Sequence, residues 1–467
     1  MDAAKQTPFE ADDDRPPNPT TGDCASPGPL VATLPPPSLS SPLEFDLSPL
    51  AAASRHGMLP LTTHSLPLWG SAAWSSWRAQ LRARLRDVDS LARALGASDL
   101  LADTGAAVRR FPMAITPYYA SLIRRFDESD PIFAMAVPHG GEVVDPPFLS
   151  DDPLEEEHDS PVPNLVHRYR DRALLLVTST CAMYCRHCTR KRVAGQQESA
   201  ITDAELAVAV GYLRDHPEIH DVILSGGDPL TLPTERLEQI LQAVRAVETI
   251  DVIRIGSRTP VTMPMRITHR LVTMLRRYSP IWINTHFNHP VELTPESMEA
   301  CGRIVDAGMP LGNQSVLLHG VNDDAQVLEK LFRGLVRNRV RPYYLFQCDL
   351  VRGVERFRTP LSKGIEIMEY LRGRVSGIAI PTFVVDAPGG GGKIPLLPNY
   401  IVSMSPTHTV LRNFEGRMVS YPEPMERHDS TPAAAPHAGV ATVFELCRGT
   451  ATTLGPDDHG GCTAHGG

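Results

Sequence analysis

The chain has 467 residues, 42% of them hydrophobic, with a formal net charge of −9. Such a length suits a large domain with appendages, or two to three domains, and the acidic balance argues against a nucleic-acid-binding body. No apolar run reaches the ~18 residues of a membrane helix, and the N-terminus, MDAAKQTPFEADDD, lacks a basic stretch followed by an apolar one, so no membrane contact and a cytoplasmic location are expected.

Residues 1–65 are rich in Pro, Ser, Ala and Asp, as in RPPNPTTGDCASPGP. They show no sustained hydrophobic period and are expected to be a disordered tail. Residues 66–160 are expected to form a helical N-terminal region; WSSWRAQLRARLRDVDSLARAL has apolar residues at helical spacing. The pattern then changes. RALLLVTST, DVILSGGDPL, DVIRIGSRTP, PIWINTHF, MPLGNQSVLL and RPYYLFQCDL read as six strands, separated by helical stretches such as ERLEQILQAVRAV and VLEKLFRGLVR. Strands alternating with helices predict parallel βα units. Six units over 161–380 are too few for an eight-unit barrel and predict an α/β partial (β/α)6 barrel. Residues 381–425 are expected to pack on it as a separate segment, and 426–467, rich in Ala, Pro, Gly and His, to be a second disordered tail.

Three of the eight cysteines fall within eight residues, as Cys181-Ala-Met-Tyr-Cys185-Arg-His-Cys188, directly after the first predicted strand. In a large chain without disulfide context, this clustering points to a metal. Three thiolates can hold three irons of a [4Fe–4S] cluster and leave the fourth iron open to a small-molecule chelate. The competing reading is zinc with His187 as fourth ligand. Structural zinc favours four ligands closing a tetrahedron, often from paired CxxC units, and so tight a loop disfavours that closure. Ser225-Gly226-Gly227-Asp228 ends the second strand; alone, it is an ordinary turn signal.

The CxxxCxxC spacing after the first strand resembles the radical S-adenosylmethionine (SAM) superfamily. CAMYCRHCTRKRVAG, HDSPVPNLVHRYRDR, MAITPYYASLI, RIGSRTPV, NTHFNHP, PLGNQSVLL, RPYYLFQCDL and FVVDAPGGGGKIPLLPNY make the resemblance narrower. Together they are similar to the lysine 2,3-aminomutase family, from about residue 74 to about 424. The resemblance implies an isomerase that moves an amino group between C2 and C3 of an amino acid, using a [4Fe–4S] cluster, SAM and pyridoxal phosphate (PLP). It also implies an electron donor such as flavodoxin or ferredoxin, and a homo-oligomer.

By the same resemblance, Cys181, Cys185 and Cys188 hold the cluster, and Ser225, Gly226, Gly227 and Asp228 contact SAM. Lys393, after four glycines in DAPGGGGKIP, holds the PLP aldehyde as a Schiff base; the P-loop alternative fails because Ala387 stands for the first Gly and Ile394 follows the Lys. Arg168 and Arg172 would take the cofactor phosphate, for which guanidinium forks are suited. Arg170 stands where the family usually has Pro. Arg190 would hold the substrate carboxylate. Asp349 and Asp386 would grip a distal cation on the substrate, since a buried cation needs such partners. Both aspartates argue for a basic amino acid, lysine first and arginine second, and against glutamate. A relative acting on a translation-factor lysine is the alternative. Cys301 matches a family cysteine that shares zinc with a neighbouring subunit. The compact C-terminal cluster of that zinc site is missing, with only Cys447 and Cys462 remaining, so zinc is not carried over.

Overall fold

The computed structural model describes residues 65–97, 105–405 and 408–423. Both expected tails therefore lie largely outside the described residues, as do Cys447 and Cys462. The helical expectation for the N-terminal region corresponds to α1 (Trp77–Arg82), α2 (Val88–Ala94), α3 (Gly105–Arg110), α4 (Pro117–Ala120) and α5 (Pro131–Ala136). Their starts are written in the sequence. Asp87 accepts from the backbone NH of Ser90, Thr116 from Tyr119 and Asp130 from Ile132 and Phe133, satisfying donors that a helix N-terminus leaves open. Leu91, Ile115, Tyr119 and Ile132 are fully buried in the same core as the sheet.

Nine strands form one sheet in sequence order: β1 (Leu165–Tyr169), β2 (Arg172–Thr178), β3 (Asp221–Gly226), β4 (Val252–Gly256), β5 (Ile281–Thr285), β6 (Leu311–Leu317), β7 (Arg341–Gln347), β8 (Thr382–Ala387) and β9 (Gly392–Pro395). Strands β2 to β8 are parallel, while β1 and β9 add antiparallel edges. The parallel sheet is the partial barrel expected from the sequence. Between its strands run α6 (Asp203–Asp215), α7 (Thr234–Arg245), α8 (Thr259–Thr262), α9 (His269–Arg276), α10 (Pro295–Asp306), α11 (Ala325–Arg337) and α12 (Leu361–Leu371).

Burial alternates along the strands, as in β6, where Leu311, Asn313, Ser315 and Leu317 are buried and the residues between them are not. This period of two turns one face to the helices and the other to the open lumen. The helices answer with buried stripes at three- and four-residue spacing, such as Leu328, Leu331, Phe332 and Leu335 on α11.

One expectation needs correction. The TFVVDA run is a seventh parallel strand, paired with β7 from Tyr344↔Thr382 to Phe346↔Val384. β9 then returns against it. Residues 382–395 are thus part of the sheet and not a segment packed on it. The sequence pattern missed this because four glycines hide a hairpin whose tight turn needs positive φ at Gly389, Gly390 and Gly392. Residues up to Pro398 form one compact unit and those from Asn399 a second. In the second, β10 (Ile401–Met404), β11 (His408–Arg412) and β12 (Met418–Pro422) make a three-stranded antiparallel sheet.

Candidate active site

Most of the singled-out residues gather at the carboxyl ends of the parallel strands, where α/β sheets place their ligands, whereas Arg172 opens β2 and Arg168 lies on the antiparallel β1 beside it. The cysteine loop follows β2, Ser225 and Gly226 end β3, Arg258 follows β4, Asp349 follows β7 and Asp386 lies near the end of β8.

The cysteine loop is pinned from the helical region. Tyr184 donates its backbone NH to Ala114 O at 3.0 Å, and Arg186 to Met135 O at 2.9 Å. The Arg186 side chain is fully buried, forked on Glu142 and capped by the Phe111 and Pro112 carbonyls. A pocket between them is lined by all three cysteines with Phe111, Tyr184 and Ala194. Among the described residues, no three His, Cys, Asp or Glu side chains converge as ligands of a single ion. His187 faces Asn288 instead, 3.3 Å away. The three cysteine side chains line one pocket, where their thiolates would bind three irons of a cubane cluster. Arg258 donates from Nη1 to Cys185 Sγ at 2.8 Å, and Arg84 to the Cys181 carbonyl at 2.5 Å, while burial pushes the Cys181 thiol up and the Cys188 thiol up to about 11. Cys301 is fully buried on α10, its thiol pushed by burial up to about 12.

Gly226 and Gly227 lie against β2. An added Cβ would meet Thr178 O at 2.3 Å from the first and Thr180 O at 2.4 Å from the second. Glycine at both positions therefore lets the end of β3 pack directly on the Thr178–Thr180 backbone. Asp228 directly follows β3. Its buried carboxylate accepts from Leu230 N at 3.1 Å, Ser257 Oγ at 2.6 Å and Arg258 N at 2.8 Å. It ties the ends of β3 and β4 together.

Across the lumen mouth, β8 and β9 pair Asp386 with Lys393 in register. Lys393 Nζ lies 2.7 Å and 2.9 Å from the two Asp386 oxygens. Its backbone NH meets the Tyr169 hydroxyl at 3.1 Å, beside Arg172, which stacks on the Tyr169 ring. Arg168 donates to Asp159 at 2.6 Å, and its Nη2 is buried with no hydrogen-bond partner among the described residues. An orphaned guanidinium nitrogen beside a glycine turn and a lysine amine fits an anionic aldehyde cofactor. Asp349 accepts from Thr189 Oγ1. Burial, and then the neighbouring Asp386, push its carboxyl up to about 6, against the pull of Thr189, Lys393 and Arg190. Arg190 forks onto Glu156 at 3.0 Å and 2.5 Å. Burial raises the Glu156 carboxyl, and Arg190, Arg192 and Arg168 more than reverse this, leaving it below its ordinary value. Arg170 is exposed at the β1–β2 turn.

Sequence reasoning passed over three residues of this site. Arg258 stood inside the quoted RIGSRTPV but had no role; a buried arginine is not distinguishable from a surface one by composition. Glu156 and Asp159 lie in EEEHD, and a charge run ordinarily reads as a solvated face.

Comparisons with known proteins agree with the geometry. A radical SAM superfamily model matches residues 175–331, and a lysine-2,3-aminomutase model matches residues 368–448. The L-lysine 2,3-aminomutase of Clostridium subterminale is 52% identical over 76% of this chain and 85% of that protein. The L-lysine 2,3-aminomutase of Acetoanaerobium sticklandii is 52% identical over 75% of this chain and 85% of its own length. The glutamate 2,3-aminomutase of Clostridioides difficile is 45% identical over 74% of this chain and 82% of its own. The chain is a radical SAM aminomutase, an isomerase of the lysine 2,3-aminomutase family, with the [4Fe–4S] cluster, SAM and PLP as its cofactors.

Proposed function

We propose that this aminomutase acts on a basic L-α-amino acid, lysine before arginine, and moves its amino group from C2 to C3. The observation that carries the reading is the pair Asp349 and Asp386, set beside Lys393 and Arg190 at one mouth of the half-barrel. Two carboxylates in a half-buried pocket are matched by a substrate cation and repel a substrate carboxylate. When bound, the cofactors supply a hydrogen-abstracting radical and an electrophilic aldehyde that carries the migrating nitrogen.

The chain's own residues then have distinct tasks. Cys181, Cys185 and Cys188 hold iron, and Ser225, Gly226 and Gly227 border the SAM position with backbone, while Asp228 braces them. Lys393 holds the cofactor aldehyde. Arg168 and Arg172 take its phosphate, where the orphaned Arg168 Nη2 has a bond to give. Arg190 has five N–H donors and gives two to Glu156, which leaves three for the substrate carboxylate. Asp386 releases Lys393 to meet the substrate's distal cation, and Asp349 shares that cation. Holding both ends of the amino acid fixes C2 and C3 relative to the radical source, the main contribution a protein makes to such chemistry. A one-electron donor such as flavodoxin or ferredoxin, and assembly as a homo-oligomer, belong to this reading through family resemblance alone.

The test is anaerobic reconstitution with iron, sulfide and PLP, followed by reduction and addition of SAM with lysine, arginine or glutamate in parallel. Mass spectrometry should find a β-amino acid from lysine or arginine. Product from glutamate alone would overturn the basic-substrate reading. A cluster-loaded, PLP-loaded protein inert to all three free amino acids would favour the lysine of a translation factor.

A further inference from the structure

The site arginines are held by one stretch of chain outside the sheet. Asp152 lies 3.2 Å from Arg192 Nη1, Glu156 forks with Arg190, Glu157 lies 3.3 Å from Arg192 Nε, and Asp159 binds Arg168 Nε at 2.6 Å. We propose that residues 152–159 form an acidic strap that positions two arginines for their ligands, Glu156 setting Arg190 for the substrate carboxylate and Asp159 setting Arg168 for the cofactor phosphate. This rests on the roles given to Arg190 and Arg168 above.

Three observations separate the strap from ordinary surface salt bridges, which contribute little. First, Glu156 is only 6% exposed, so its charge is placed where an unpaired partner would be costly. Second, the geometry is directional. Glu156 takes Nε and Nη2 of Arg190, one edge of the guanidinium, and Asp159 takes only Nε of Arg168, leaving its buried Nη2 to point elsewhere. A fork held along one edge presents the remaining donors in a fixed plane, which is how a planar carboxylate or phosphate is met. Third, the strap is itself fixed. Ser160 Oγ donates to Glu156 O at 2.6 Å, Glu157 N to Asp152 Oδ2 at 3.0 Å, and His167 N to Asp159 O at 2.8 Å. The last bond joins the strap to β1, the strand that carries Arg168. Glu155 lies against the glycine turn before Lys393, within 3.7 Å of an added Cβ at Gly389.

The strap also solves an electrostatic problem. Arg168, Arg190 and Arg192 all act on Glu156, and without it these cations would repel one another and turn toward water. The strap residues touch none of the reacting atoms in this account; they act through the arginines.

The test uses cluster- and PLP-loaded protein and four variants: E156Q, E156D, D159N and R190A. PLP affinity is read from bound cofactor absorbance, lysine affinity from the change in that absorbance on titration, and folding from thermal melts. E156Q should weaken lysine binding about ten- to a hundredfold while PLP affinity stays within about twofold, and E156D should recover most of the loss. D159N should do the reverse, weakening PLP about tenfold and leaving lysine binding at saturating PLP unchanged. Equal losses of PLP and lysine in E156Q, or a melt lowered together with both, would mean a merely structural role and overturn the proposal. So would lysine binding untouched in E156Q but abolished in R190A. If R190A itself binds lysine normally, the assignment of Arg190 is wrong, and the Glu156 half of the proposal falls with it.

Discussion

The two sides of the half-barrel mouth are built by different forces. On the β2–β3 side, position is set by backbone against backbone: Gly227 N donates to Thr178 O at 2.5 Å and Asp228 N to Thr180 O at 2.8 Å, with no room for a side chain at Gly226 or Gly227. Where the amino acid and its PLP are proposed to bind, position is set by charge: Lys393 on Asp386 across β8 and β9, Arg190 after the cysteine loop on Glu156, and Arg168 of β1 on Asp159. Backbone contacts cannot exchange partners, whereas ion pairs can. On the roles proposed above, the cluster side is a fixed template, and the amino-acid side is arranged so that incoming carboxylate, phosphate and cation replace or extend contacts already present.

The sharpest way to break this contrast is at the glycines. G226A places a Cβ 2.3 Å from a carbonyl oxygen at a φ of +113°, combining backbone strain with overpacking. The cost should be about 3 kcal/mol or more. The protein should lose iron on reconstitution, read by its visible absorption and iron content, and melt well below the native protein. A G226A variant with a full cluster and a native melt would show that the template is softer than its contacts imply.

K393A tests the other side and should separate function from fold. Lys393 has a third of its side chain exposed but Asp386 only 6%, so K393A leaves a buried carboxylate unpaired and should cost about 1–3 kcal/mol. Covalently held PLP should disappear while the iron–sulfur spectrum remains and the melt falls by less than in G226A. A large drop in melting temperature would place Lys393 among the structural supports, on a level with the glycines.

The contrast also explains what was legible in the sequence. Strands β2 to β7 could be read because alternating burial and the helices between them leave strong periodic signals. The cysteine triad could be read because a metal demands close spacing in sequence. The β8–β9 hairpin hid behind glycines, and β9 has only four residues. The charge-held residues were legible only in part. Lys393, Asp349 and Asp386 stand in distinctive motifs, but Glu156 and Asp159 are ordinary acids in an acidic run. Their meaning comes from chain reversal, which brings residue 156 to residue 190, and no local pattern encodes that meeting. Asp228 likewise acts across sequence distance: its carboxylate accepts from Ser257 and Arg258, 29 and 30 residues away in the chain.

D349N should cost less than loss of Lys393, since Asp386 remains to meet the cation: kcat/KM for lysine should fall about a hundredfold, with no gain of activity on glutamate. An unchanged kcat/KM would remove Asp349 from the pocket.

The smallest effect is the most specific, because it follows from how the charge-held side is made. Asp349 is raised from 3.8 to about 6, first by burial and then by Asp386. Its ionised form is therefore the costly one in the folded protein. Between about pH 4 and 6 the folded chain keeps a proton that the unfolded chain has lost, so this group's contribution to stability falls as pH rises through that window. The asparagine variant carries no such cost. The melting temperature of D349N relative to native should be lowest near pH 4, rise through pH 6 and then level off. Catalysis should run the other way. Native KM for lysine should climb as pH drops below about 6, since a protonated Asp349 no longer attracts a cation, whereas the D349N KM should be high at every pH and lack that climb. Other titrating groups are common to both proteins and cancel in the comparison. A difference in melting temperature that does not vary with pH would mean that Asp349 titrates normally, and that the carboxylate pair carries no stored repulsion for a substrate cation to relieve.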